Sequence, residues 1–117
     1  MCFDLNGQTK AKIAKKDITV YKAICKNGFG WLHNIKINGG IQKWKKGYQY
    51  TETNFPKETQ EVRIMGNAFH SCIKKSSALS RKHSNDKLVE MVIPKGAYYY
   101  KNDTEYCSSD IIYVKDL

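Results

Sequence analysis

Apolar residues along this chain fall in short alternating runs separated by turn-forming pairs, a period-two pattern that predicts strands rather than long helices. The densest run, Ile18 to Cys25, is rich in β-branched and aromatic residues and ends at Asn27-Gly28, which predicts a strand entering a tight turn. Phe29 to Ile37 alternates again, Asn38-Gly39-Gly40 reverses the chain and Ile41 to Trp44 resumes it, so a hairpin is expected. Gly47 to Pro56 reads as an irregular connection. Short strands follow at Val62 to Met65 and Ala68 to Cys72, then a strongly apolar one at Leu88 to Ile93. Pro94-Lys95-Gly96 turns the chain before Tyr98, Tyr99 and Tyr100, Asn102-Asp103 turns it once more, and Ile111 to Val114 closes it as a final strand. Helical spacing is confined to Lys74 to His83, with Ala78 and Leu79 inward and Ser76, Ser77, Arg81 and Lys82 outward. So short a helix needs packing support. The polar opening through Lys16 reads as an arm or a first short strand.

At 117 residues the chain has the size of a single domain, 1–117, with 1–16 as an N-terminal arm. Its 41% hydrophobic and 12% aromatic content supplies a core large enough to offset the entropy of folding. No apolar run approaches the length that spans a bilayer, and Met1 to Asn6 lacks a basic region followed by an apolar stretch. No membrane partner is expected, and a cytoplasmic location follows. Reduced thiols are the expectation for Cys2, Cys25, Cys72 and Cys107. None forms a close pair, and His33, His70 and His83 add no ligand spacing, so no metal is expected.

Charge changes the picture most. The net charge is +9, and all but two of the 20 cations, Arg63 and Arg81, are lysines, which attract phosphates as mobile point charges rather than as forks. Lysines interleave with aromatic residues from Gln42 to Tyr48 and from Lys95 to Lys101, a pairing of charge and stacking surface suited to nucleotides or single-stranded nucleic acid. The same features also describe a solvated lysine face and cross-strand aromatic packing. His70 and Ser71 are neighbours on a strand and point to opposite faces, which excludes a nucleophile and base acting together there.

Three segments, in order, resemble the motifs of the ADP-ribosyltransferase fold. Val20-Tyr21-Lys22-Ala23 resembles the first motif strand, with Lys22 at the position of an NAD-gripping arginine. Phe69-His70-Ser71-Cys72, followed by Lys74-Lys75 and Ala78, resembles the second, with Ser71 at its serine. Leu88 to Ala97 resembles the third, with Glu90 at the catalytic glutamate and Leu88 where a second carboxylate or amide often stands. The resemblance implies an α+β, mainly β fold: a compact split β-sandwich, ADP-ribosyltransferase-like, with one short helix. It implies Tyr21, Lys22, His70, Ser71, Glu90, Lys95 and Tyr98 as ligand-binding residues. Glu90 and Ser71 would be catalytic, and NAD a cofactor, only in an enzyme.

The whole chain also resembles a set of small proteins of gut Bacteroidetes and their phages, through its Phe-His segment, short helix, Ile-Pro-Lys-Gly-Ala-x-Tyr-Tyr turn and Cys-Ser ending; that resemblance implies no activity. With the arginine and the second carboxylate replaced, binding is expected ahead of catalysis, and no cofactor is expected. The reading is a protein holding a phosphate-containing nucleotide, a phage or bacterial factor that sequesters a signalling nucleotide. A minimal ADP-ribosyltransferase or NAD glycohydrolase and a basic module for nucleic acid or protein are the alternatives, and a homo-oligomer is compatible with each.

Overall fold

The computed structural model of the chain describes residues 3–25, 35–37, 40–42, 44–64 and 67–117. The strongest apolar alternation becomes the centre of the molecule. Ile18–Cys25 (β3) pairs antiparallel along its whole length with Asp86–Ile93 (β9), from Ile18↔Ile93 to Cys25↔Asp86. Around this ladder, Lys12–Ile13 (β2), Gln49–Thr51 (β6), Phe69–Cys72 (β8), Tyr98–Lys101 (β10), Glu105–Ser108 (β11) and Asp110–Asp116 (β12) assemble, among the described residues, an eight-stranded sheet. Its order is β2-β10-β11-β8-β3-β9-β12-β6, and its pairs are antiparallel. Phe3–Asp4 (β1) pairs with Arg63–Ile64 (β7), and Ile35–Ile37 (β4) with Gly40–Gln42 (β5). Lys75–Ser80 forms the short helix α1. Among the described residues the protein is therefore mainly β with one short helix.

Alternation gives the sheet two faces, and both are covered. The inner face carries Val20, Ile24, Phe69, Val89, Met91, Ile93, Ile111 and Tyr113 in one cluster with Trp44 and Tyr50. Tyr50 belongs to the β6 edge and Phe69 to β8, four strand spacings away, about 19 Å in a flat sheet. Yet both rings lie within 6.1 Å of the Trp44 ring, so the sheet curls around this core. The outer face has two covers. The β1 and β7 ribbon seats Phe3, Leu5, Ile64 and Phe55 against Tyr100 and Cys107, and α1 sets Ala78 against Cys72 and Leu88.

Several expectations meet corrections. Of the two readings of the opening segment, arm or short strand, the structure has short strands, β1 and β2, with Phe3 and Leu5 fully buried. Gly47 to Pro56 holds β6, whose single inward residue, Tyr50, is too sparse a signal for alternation to show. The strand Glu105–Ser108 was not expected at all; it is buried on both faces and so lacks the period of two. In α1, Leu79 is 56% exposed, and Arg81, three residues after Ala78, turns inward with it. The expected hairpin is present as β4 and β5, while its turns at Asn27-Gly28 and Asn38-Gly39 lie outside the described residues. Pro94-Lys95-Gly96 turns as expected: Ala97 N–H donates to the Pro94 carbonyl, and Gly96 takes the positive φ of +92° that this turn requires.

Candidate functional site

The first and second resemblance segments lie side by side. β3 and β8 pair at Tyr21↔Cys72, and beyond that position their ladder does not continue among the described residues. Lys22, rooted opposite Val89 on the inner face, sends its ammonium into this parting, where Nζ donates a 2.6 Å hydrogen bond to the His70 carbonyl. The residue is 7% exposed. Burial lowers its ammonium to about 7; the Arg81 charge pushes the same way, while Cys72 and Glu105 pull back.

The carboxylate whose charge acts on this lysine is Glu105. β11 pairs with β8 at Glu105↔Cys72 and Cys107↔His70, placing Glu105, Cys72, His70 and Cys107 on the outer face. Arg81 reaches over from the end of α1, with Nη1 3.1 Å from Glu105 Oε2, Nη2 donating to Oε1 at 3.3 Å and Nη1 3.6 Å from Cys72 Sγ. Burial pushes the Cys72 and Cys107 thiols up. His70 stacks edge-on against Phe3, with ring centroids 6.2 Å apart, and burial with the neighbouring Lys22 charge lowers it to about 3, so its ring is neutral. Ser71 is 3% exposed, and its Oγ is buried without a hydrogen-bond partner.

Glu90 stands opposite Tyr21, half-buried on the outer face, whereas Lys22 is rooted on the inner face. The register therefore brings Tyr21 together with Glu90 and Cys72, and Lys22 together with His70, and it does not join Lys22, Ser71 and Glu90 on one surface. Glu105 and Arg81 escaped the sequence reading. The available signal was the turn Asn102-Asp103 between Tyr100 and Tyr106, which marks a hairpin.

Lys95 and Tyr98 occupy a different place, the β2 and β10 edge. Tyr98 lies opposite Ile13 and Tyr99 opposite Lys12. The Lys57 ammonium sits 4.7 Å from the centroid of the Tyr98 ring, and the turn carrying Lys95 is tied to β2 by 2.8 Å bonds from Gly96 N–H to Ala14 O and from Ala14 N–H to Ala97 O. Lys10, Lys12, Lys15 and Lys16 are exposed along the same edge. Among the described residues no group of three metal-ligating side chains occurs, and no helix is long and apolar enough to cross a membrane. No protein-family model, curated protein or solved structure matches this chain.

Proposed function

We propose that this protein binds a phosphate-containing nucleotide without transforming it, on a compact ADP-ribosyltransferase-like framework. The framework reading is supported by the three resemblance segments, which fall on β8, β3 and β9, three adjacent strands at the middle of the sheet. The observation that carries the binding reading is the lysine and tyrosine edge. A cation over the Tyr98 ring, Lys95 in the adjoining turn and a run of exposed lysines supply phosphate attraction beside aromatic surface. Turnover is disfavoured because Lys22, Ser71, Cys72 and Glu105 are each at most 7% exposed, while Glu90, half-buried, stands on the opposite face of the sheet from Lys22. Sequestration of a signalling nucleotide in the cytoplasm of a bacterial host is the role this reading assigns.

Isothermal titration against NAD, ADP-ribose and a panel of cyclic mono- and dinucleotides tests it. Binding of an intact ligand is expected, weakened about tenfold in Lys57→Ala plus Lys95→Ala and unchanged in Lys22→Met. Released nicotinamide would mark an enzyme instead, and silence across the panel at low salt would remove the nucleotide reading.

A further inference from the structure

We infer that the ligand favoured by the lysine and tyrosine edge is a single-stranded oligonucleotide lying along β2, an inference that rests on the phosphate-binding reading of that edge. Alternation sorts the side chains here. Ala11 packs into the outer-face cluster beside Tyr98, so Lys10 and Lys12 project to the other side, where Lys12 stands opposite Tyr99. Tyr99 is half-buried and meets Tyr106 edge-on at 5.7 Å, and the Lys101 ammonium lies 5.6 Å from the Tyr106 centroid. Three lysines thus surround the half-buried Tyr99, which rests on the buried Tyr106.

The dimensions favour a strand over a mononucleotide. From Lys10 to Lys16 the chain makes six steps that span at most about 20 Å, with β2 at Lys12–Ile13, Ala14 turned into the core and a bend at Lys15 and Lys16. A stacked single strand advances about 3.4 Å per nucleotide, so this edge has room for up to about six nucleotides. The phosphates of one nucleotide reach only part of that edge. Two carboxylates lie along it: Glu58, 3.9 Å from Lys10, and Asp17, which accepts from the Lys95 backbone N–H. Lysines on flexible stems follow a mobile backbone, and a tyrosine face accepts any base, which suits sequence-tolerant binding. Duplex reading has no vehicle here, because α1 is six residues long and packs over β3 and β8 at the middle of the sheet, away from the β2 edge.

Fluorescence anisotropy of labelled oligothymidylates of two to twelve nucleotides, titrated with the full chain, tests the inference, with thymidine monophosphate and a twelve-pair duplex as competitors. Affinity is expected to rise steeply to about six nucleotides and then level. The logarithm of affinity should fall against the logarithm of salt with a slope of about −3, four or five phosphates at about 0.7 each. Lys12→Glu plus Lys101→Glu should weaken binding at least tenfold with an unchanged circular dichroism spectrum and melting temperature, and Lys74→Glu plus Lys75→Glu at the start of α1 should leave it unchanged. Equal affinity for monophosphate and hexamer overturns the oligonucleotide inference and leaves the nucleotide reading standing. Tighter binding of the duplex, or equal losses in both double variants, also overturns it. No binding of any probe, monophosphate included, removes both readings.

Discussion

Lys22 places an ammonium where a β-ladder would otherwise continue, and the arrangement makes stability depend on pH. An unfolded lysine keeps its proton to about 10.5, while the buried one releases it near 7. Between those values the unfolded chain binds more protons, so stability rises with pH, by up to about 1.4 kcal/mol per unit. Cys72 and Cys107 act oppositely above their ordinary value of 9, because burial raises both thiols. The gain is therefore confined to about pH 7 to 9. His70 adds a second window: its folded value near 3 lies below the unfolded 6.5, so stability is lost as pH falls from 6.5 toward 3. Urea midpoints at pH 5, 7, 8 and 9 should climb throughout in the native chain, and Lys22→Met should flatten the upper part of the climb alone. Glu105 makes a complementary case. Removing its partner in Arg81→Ala strands a carboxylate that is 7% exposed, with an expected loss of about 3 kcal/mol read by chemical denaturation. Glu105→Gln in the same background should recover part of that loss.

Among the elements, the ribbon of β1 and β7 has an importance out of proportion to its length. Phe3 seals His70 and Leu5 joins Phe55 and Tyr100, so Phe3→Ala is expected to cost about 3 to 4 kcal/mol by urea denaturation, a value characteristic of a core residue. A near-neutral effect would mean that the ribbon lies loosely on the sheet. Little of this was legible in the sequence, because a two-residue strand has no period, and Phe3 and Leu5 sit among polar neighbours. What was legible had a strong local signal. β3 carries β-branched or aromatic residues at Ile18, Thr19, Val20, Tyr21 and Ile24, β9 is apolar from Leu88 to Ile93 except for Glu90, and the Pro94 turn carries its own chemistry. The site was legible only in part. Lys22 and His70, both named as ligand-binding residues, are joined through a backbone carbonyl, which no side-chain pattern announces. Glu105 came from a strand buried on both faces, where a single carboxylate is inconspicuous until Arg81 is seen to meet it.

Across the whole molecule, charge and burial divide cleanly. Lys22 is buried, while the lysines of the β2 edge, of the segment before α1 and of the turn at Lys95 stand in solvent. One curled sheet supplies both the closed polar cluster between β3, β8 and β11 and the open basic margin at β2 and β10. Mutations at the margin should change binding and its salt dependence with little effect on melting, and mutations in the cluster should do the reverse. The layout also has a consequence for how the chain acquires its shape. Ile18 meets Ile93 and Cys25 meets Asp86, so the ladder at the heart of the sheet joins segments 75 to 61 positions apart. During synthesis β3 emerges long before either neighbour exists, an apolar strand with two unsatisfied edges. Such distant pairing is slow, on the millisecond to second scale typical of non-local β topologies, and leaves the edges of β3 unpaired until β8 and β9 have been made.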